Sequence, residues 1–320
     1  MYLSLACMSP CLAESLFEKG EMDLLKQQWL LPELSYRERH QQLVALGKKL
    51  FFDSNLSIDS STSCATCHDP KYAWSDGQAK AIGLRNKTLK RATPSIINTA
   101  YSLTFMWDGR SPSLEHQALL PIFNPDEMGL NADLLVKRIE QNPDYAKLFD
   151  AAFDNDAITI NKVGLAIAEF ERTITARNTR FDRWLKGDSE AMTVTEREGF
   201  KIFLDGQKSG CINCHNPPNF TDHGFHNVGV ATLEGQSADL GRFNQTPLNI
   251  MKGAFKTPSL RGAPLTAPYF HDGSANTLEE VVDHYQDGII AKDNLSPSLI
   301  NIALSKEDKS KLVSFLKTLQ

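Results

Sequence analysis

The sequence lacks an excess of basic residues. Its 320 residues include 34 Lys and Arg against 39 Asp and Glu, for a formal net charge of −5. A nucleic-acid-binding protein usually carries a basic patch or stripe, so this class is not indicated. The sequence also lacks a run of about 18 apolar residues, which a membrane-spanning helix needs. These absences favour a soluble protein with neither a nucleic-acid partner nor a membrane span, and the length suffices for two domains of ordinary size.

Cysteine is also scarce, and its placement is informative. Four of the six cysteines fall in two short motifs, and Cys7 and Cys11 lie near the N-terminus. Residues 1–13 are short, apolar and rich in small side chains, which is typical of the back half of a secretory signal, although no Lys or Arg precedes them. We therefore expect a truncated signal peptide, a mature chain that begins near Glu14, and a periplasmic location without disulfides. The alternatives are a disordered cytosolic tail and a lipobox at Cys7, which would tie the protein to the cell surface.

The two motifs are C-x-x-C-H pentads, "CATCH" at 64–68 and "CINCH" at 211–215. Two thiols one helical turn apart can form thioethers with the porphyrin vinyl groups, and the adjacent histidine can bind the iron. The sequence thus predicts two covalently bound c-type haems. The alternative is a zinc site formed by four thiolates. The predicted attachment and proximal ligand residues are Cys64, Cys67, His68, Cys211, Cys214 and His215.

No histidine that could be a second axial ligand of the first haem follows the first pentad closely in the sequence. A haem iron with ligands on both faces transfers electrons, whereas one with an open face can bind peroxide or oxygen. No histidine lies between His68 and His116. The first haem is therefore predicted to be open on one face. The remaining histidines are His40, His116, His223, His226, His271 and His284.

Hydrophobic periodicity predicts helices and few strands. Apolar residues recur at helical spacing over 35–52 and 160–174, and a possible capping box of Thr193 and Glu196 begins a third helix that stops at Gly206. A last helix is expected from about Ser305. The polar run at 180–192 is the expected boundary between two halves. The predicted fold class is all-α, with long ordered loops.

Three blocks of sequence resemble the bacterial di-haem cytochrome c peroxidases and their MauG-type relatives. They are "LGKKLFFDSNLS" before the first pentad, "RATPSIINTAYSLTFMWDGRSPSLEHQALLPIFNPDEMGL" after it, and "FKTPSLRGAPLTAPYFHDGSANTLEEVVDHY" after the second. The resemblance covers roughly residues 40–320. It implies two cytochrome c-like domains, one over 14–180 with a peroxidatic haem and one over 181–320 with the second haem.

The resemblance also implies roles for single residues. Trp107 matches the tryptophan that relays electrons or holes between the haems. Gln117 and Glu127 match polar residues above the peroxidatic haem, where Glu127 takes and returns a proton as the O–O bond breaks. Pro121 matches a residue that shapes the same pocket. Arg110 and His271 are expected to bond haem propionates or the interdomain interface.

Family members differ in the residue that binds the far side of the second haem. Peroxidases supplied by small electron carriers place a methionine on its far side, whereas MauG-type proteins have a tyrosine, and here the matching position is Tyr285. Met251 is the alternative ligand. The family often binds calcium between the haems, and Thr266 and Pro268 could supply carbonyl oxygens, but Ala92 replaces the usual asparagine. Calcium is therefore an open expectation.

The resemblance implies a di-haem oxidoreductase that reacts with hydrogen peroxide. Through a high-valent state of both haems it would oxidise a residue, such as a tryptophan, of a small exported partner protein, as in MauG-type maturation. One alternative is a cytochrome c peroxidase that draws electrons from a small cytochrome or cupredoxin. The other is a non-catalytic di-haem electron carrier.

Overall fold

The computed structural model describes residues 16–231 and 237–320, and within these ranges the protein is mainly helical. The strands there are β1 (Phe225–His226) and β2 (Phe255–Lys256), which pair antiparallel. A π-helical turn, His284–Gly288, follows α10 directly. The α-helices of the described ranges are α1 (Lys19–Trp29), α2 (His40–Phe51), α3 (Cys64–Cys67), α4 (Leu114–Phe123), α5 (Ala132–Glu140), α6 (Pro143–Phe153), α7 (Ile160–Arg172), α8 (Arg180–Leu185), α9 (Val194–Leu204), α10 (Leu278–Asp283) and α11 (Lys306–Leu316).

The mainly helical prediction is thus confirmed, whereas the signal-peptide prediction for residues 1–13, with Cys7 and Cys11, lies outside the described residues. None of the described helices combines the length and apolar character that crossing a membrane requires. The helix expected from residue 35 begins later, at His40. The reason is local, because Arg39 adopts a left-handed conformation with φ 58° and so cannot continue a right-handed helix.

Local capping signals determine where several helices begin. The Thr193 hydroxyl accepts a hydrogen bond from the Glu196 N–H, and the Glu196 carboxylate accepts one from the Thr193 N–H, so the predicted capping box starts α9. Similarly, the Ser305 hydroxyl accepts from the Asp308 N–H at the start of α11. Both predicted starts are confirmed.

The same helix crossing occurs once in each half. In the first half α2 crosses α7, and a Cβ added to Gly47 would lie 1.8 Å from the Ala166 carbonyl oxygen. In the second half α9 crosses α11, and a Cβ added to Gly199 would lie 2.0 Å from the Lys311 carbonyl oxygen. Only glycine allows backbones to approach this closely. Each crossing joins the helix before a pentad to a helix after it, which places both pentads against equivalent cores.

Two large hydrophobic cores and one small cluster of Phe105, Leu114 and Ala168 lie within the described residues. The first contains buried residues between Leu43 and Ile174. The second contains residues from Phe181 to Leu319, together with α1, whose Trp29 is 1% exposed. The polar run at 180–192 forms α8 and buries Phe181 in the second core. The change between cores therefore falls between Ile174 and Phe181, and the division into two domains at residue 180 stays a prediction.

A buried ion pair ties α8 to the loop before α10. The Arg261 guanidinium, 2% exposed, donates to both carboxylate oxygens of Asp182 at 2.8 Å and to the Trp29 carbonyl oxygen at 2.9 Å. Because α1 ends at Trp29, the Arg261 side chain joins α1, α8 and the loop before α10.

We expect Asp182→Asn to lower the free energy of unfolding by roughly 3–5 kcal/mol, since it leaves the buried Arg261 charge uncompensated. Urea unfolding with an unchanged m-value measures the loss. Glu279→Gln is the matched control, because it removes an ion pair with Lys317 in which both side chains are about half exposed; such pairs contribute little. Equal losses in the two variants would contradict this role of the buried pair.

Candidate active site

A cavity in the N-terminal half, with a volume of about 50 Å³, lies against the first pentad. Its wall includes side chains from α3, from α4 and from the loop that follows α4. The structure thus gathers residues that lie more than 100 positions apart in the chain, from Thr62 to Glu171. Those that the sequence had singled out are Cys64, Cys67, His68, Gln117, Pro121 and Glu127.

The local fold of the first pentad arranges its side chains for a metal-bound porphyrin. The single turn of α3 places Cys64 and Cys67 one turn apart. The neutral His68 ring donates from Nδ1 to the Trp74 carbonyl oxygen at 3.0 Å, so Nε2 is left free. Burial lowers the pKa of His68 and favours the neutral ring, which a metal ligand requires. A backbone carbonyl partner of this kind fixes the orientation of a ligating histidine.

The second pentad repeats the arrangement. A 3-10 turn, Cys211–Asn213, begins it, and His215 Nδ1 donates to the Phe220 carbonyl oxygen at 2.9 Å. Burial lowers the pKa of His215 as well. Both pentads therefore present a free Nε2 beside two thiols.

The four pentad cysteines are free and do not form one zinc site. Among the described residues, Cys214, Asp222 and His226 form the one group of three or more potential metal ligands whose ligand atoms approach one another, and it contains no cysteine of the first pentad. Cys64 packs against the first core and Cys211 against the second, so the two pairs of thiols are not gathered at one metal site. This donor set fits a covalently attached haem better than the four-thiolate alternative.

Polar groups without partners face the first cavity. The Gln117 Oε1 atom is buried and has no hydrogen-bond partner among the described residues, while its Nε2 atom lies 3.9 Å from the Met106 sulfur. Glu127 accepts a hydrogen bond from Asn124 Nδ2 at 2.7 Å, and burial raises its pKa. An amide and a carboxyl of raised pKa are suited to orienting a small polar molecule and moving its proton.

No histidine other than His68 lines the first cavity in the part of the chain that the structure describes. His40 pairs with Glu169 at 2.8 Å, and His116 hydrogen-bonds the Ser111 hydroxyl at 2.8 Å. The sequence has no histidine between His68 and His116. In agreement, His68 is the one histidine among the described residues that line the first cavity.

Tyr285 lies in the π-helical turn after α10, next to the second pentad. Burial raises the pKa of its phenol, and the neighbouring Cys214 and Cys211 add to the increase. Isolated π-helical turns are frequent at functional sites. His284 beside it donates to the Val228 carbonyl oxygen at 2.8 Å. The alternative ligand, Met251, ends a 3-10 turn upstream of β2.

Asp222 and His226 form an ion pair close to Cys214. Their hydrogen bond is 2.8 Å long. It raises the pKa of His226 to about 10, with the Cys214 contact adding to the increase. Burial opposes ionisation of Asp222, but hydrogen bonds from His226 and the Gly224 N–H lower its pKa to about 2. Sequence reasoning missed this pair, although the two residues are four apart in a loop after the pentad.

Trp107 is held by both halves of the chain. Its indole Nε1 donates to the Ala92 carbonyl oxygen at 2.8 Å, and its own carbonyl oxygen accepts from the Lys256 N–H of β2 at 2.8 Å. Arg242 donates to the carbonyl oxygens of the next two residues, Asp108 and Gly109. Hydrogen bonds to Ala92 in the first half of the chain and to Lys256 in the second therefore fix the position of Trp107.

Known proteins resemble this chain over most of its length. The family model described as di-haem cytochrome c peroxidase matches residues 41–190. A methylamine utilization protein MauG of Methylorubrum extorquens is 39% identical over 324 residues, covering 100% of this chain and 91% of the relative. A cytochrome c551 peroxidase of Nitrosomonas europaea is 35% identical over 278 residues, covering 87% of this chain and 79% of the relative. The chain belongs to the di-haem cytochrome c peroxidase family.

A solved structure supports the same assignment. The crystal structure of a MauG-like protein associated with microbial copper homeostasis is 32% identical, with a TM-score of 0.80 over 89% of this chain and 90% of the other. As a member of the di-haem cytochrome c peroxidase family, this protein is a haem-dependent oxidoreductase, and the family prediction from sequence is confirmed.

The other residues singled out from the sequence lie between the halves or near them. His271 stacks on Phe255 with ring centroids 3.5 Å apart, and its carbonyl oxygen accepts from the Ala92 N–H at 2.8 Å. Arg110 bonds the Asp108 carboxylate. The Ala92 carbonyl oxygen already accepts from Trp107, and Thr266 and Pro268 follow the 3-10 turn Ala263–Leu265. Calcium stays a prediction.

Six residues that line the first cavity were not anticipated, and Met128 and Glu171 are two of them. Met128 is 2% exposed and contributes an apolar wall. Glu171 on α7 lines the cavity although it is acidic and buried. A sequence signal for it exists, because Glu171 lies four residues after Ile167 and three before Ile174, on the apolar face of a helix assigned to the core.

Proposed function

We propose that this protein carries two c-type haems, attached through Cys64 and Cys67 and through Cys211 and Cys214, and that the first reacts with hydrogen peroxide. The observation that carries the proposal is the first cavity. It places the amide of Gln117 and the carboxyl of Glu127 near the pentad, with no histidine other than His68 in the described lining. A small molecule therefore has a polar binding place, and none of the described lining residues is a second histidine that could block it.

The haem held by His68 supplies the iron to which peroxide binds. Glu127 accepts the proton of the bound peroxide and returns it to the leaving oxygen, which then departs as water. Burial raises the pKa of Glu127, which makes its carboxylate a stronger base for the first of these steps. Gln117 orients the peroxide through the amide oxygen that otherwise lacks a partner. Pro121 and Met128 restrict the space.

We further propose that Tyr285 and His215 would together hold the second haem iron. An anionic phenolate would stabilise the oxidised metal and lower its reduction potential. The second site could then store one of the two oxidising equivalents of each peroxide, and Trp107 would relay charge between the two sites. The contacts that fix Trp107 from both halves support this role.

The oxidising equivalents then pass to a residue, such as a tryptophan, of a small exported partner protein in the periplasm. Support comes from the similarity to a methylamine utilization protein MauG over the whole chain. We propose that the mature protein consists of the domains 14–180 and 181–320. Calcium between them remains part of the proposal, with water in place of the missing asparagine.

A second function has its own support. The Nitrosomonas relative is named a cytochrome c551 peroxidase, so this protein could instead reduce peroxide with electrons from a small cytochrome or cupredoxin. Tyr285 beside the second pentad favours the first proposal. A purely electron-carrying role would leave the polar groups of the first cavity without use.

Rapid mixing of hydrogen peroxide with the diferric protein distinguishes these functions. We expect a long-lived spectrum that differs from the diferric one and decays when a partner protein is added. A reaction that occurs only after one-electron reduction would instead support the peroxidase. An unchanged spectrum in both redox states would support the electron carrier.

A further inference from the structure

Glu171 is a buried carboxyl that the proposed mechanism does not use. The residue is 4% exposed, it lines the first cavity, and its Oε2 atom has no hydrogen-bond partner among the described residues. An unpaired polar group away from water is costly to a folded protein. A carboxyl that persists in this position is expected to have a partner, or a task, once the cavity is filled.

The charges around Glu171 do not neutralise it. Arg172 is the cation that interacts with it, but the Arg172 guanidinium already donates to Glu169 at 2.9 Å and to Glu115 at 2.7 Å. Glu115, on α4, adds negative charge in the same region. Burial raises the pKa of Glu171 to about 8, with Arg172 opposing the increase and Glu115 adding to it. The side chain thus holds its proton near neutral pH unless a positive charge enters the cavity.

The other titratable groups that face this region are Cys64, Cys67, His68 and Glu127. In the haem-bound protein the two thiols become thioethers and His68 binds iron, so none of the three titrates. The Nδ1 atom of His68 already bonds the Trp74 carbonyl oxygen. Glu171 and Glu127 are therefore the two described carboxyls of this cavity that can exchange protons with solvent.

We propose that Glu171 is the proton-binding group that compensates charge at the first haem, and this inference rests on the proposed function because it requires a haem in this cavity. When an external reductant adds one electron to that haem, one proton from solvent binds the Glu171 carboxylate. When the electron leaves, the proton leaves as well. Each cycle thus moves one electron and one proton, and the net charge of a cavity that water screens poorly stays constant.

Spectroelectrochemical titration of both haems as a function of pH tests the proposal without peroxide. We expect the reduction equilibrium constant of the first haem to fall tenfold per pH unit over a window around neutrality, which is about 59 mV per unit for one electron. Glu171→Gln removes this slope and leaves the second haem unaffected. Glu127→Gln is the matched control from the same cavity and keeps the slope.

Redox-difference infrared spectroscopy of the unaltered protein gives a readout that needs no variant to fold. Reduction should produce the C=O band of a protonated carboxyl, and the band should be absent from Glu171→Gln. The proposal is overturned if the unaltered protein shows no slope and no band, if Glu171→Gln retains both, or if only Glu127→Gln loses them. Failure of the proposed function would show differently, as a protein without haem at the first pentad or with no response to peroxide.

Discussion

Replacing Tyr285 with methionine is expected to raise the reduction potential of the second haem by roughly a few tenths of a volt, within the range of about 0.8 V that axial ligands cover. A thioether is neutral and favours the reduced iron, whereas a phenolate is anionic and favours the oxidised iron. The long-lived species formed with peroxide should disappear, because the second site can then no longer hold an oxidising equivalent. Potentiometric titration and rapid mixing measure the two effects.

Met251→Leu is the matched control for this prediction. Met251, which ends the 3-10 turn before β2, is the alternative ligand predicted from the sequence, and its replacement should leave both the potential and the species formed with peroxide unchanged. If Met251→Leu shifts the potential while Tyr285→Met does not, the methionine is the ligand and the supply of electrons by a small carrier protein becomes the favoured function.

Glu127→Gln is expected to slow the reaction with peroxide by about 10²–10⁴-fold while both haems stay attached. The amide keeps the shape of the carboxyl but cannot accept the proton. Below its raised pKa, Glu127 is already protonated, so the rate of the unaltered protein should increase as pH rises through that pKa. The variant should lose this dependence. Stopped-flow measurements across the pH range give both results.

Asp126→Asn provides the control for the same loop. Asp126 is adjacent to Glu127, but its side chain is 45% exposed and pairs with Lys87 at the surface. Its replacement should leave the reaction with peroxide unchanged. Rates for Glu127→Gln that match those of the unaltered protein would remove Glu127 from the mechanism.

The sequence predicted the features that depend on neighbouring residues. The starts of α9 and α11 were predictable because Thr193 and Ser305 cap the residues that directly follow them. The pentads are recognisable because their residues lie within one helical turn, and their attachment of haem stays a prediction. Gln117, Pro121 and Glu127 of the first cavity were named through family resemblance, which carries long-range information that periodicity does not.

Features that depend on distant segments could not be predicted in this way. The close crossings at Gly47 and Gly199 depend on backbone atoms more than 100 residues away. The packing of α1 into the second core depends on Arg261, which bonds the Trp29 carbonyl oxygen across 232 positions. Glu171 looked like one polar residue in a core helix, and only the position of the cavity shows that its side chain faces a functional space.

Electron paramagnetic resonance of the diferric protein is the most direct test of the central claim, that an open first haem is paired with a second haem bound by Tyr285. An open or weakly ligated iron gives a high-spin signal, and an iron with two strong ligands gives a low-spin signal. We predict one of each, and we predict that Tyr285→Phe alters the low-spin signal alone. Two low-spin signals that Tyr285→Phe leaves unchanged would contradict both halves of the claim.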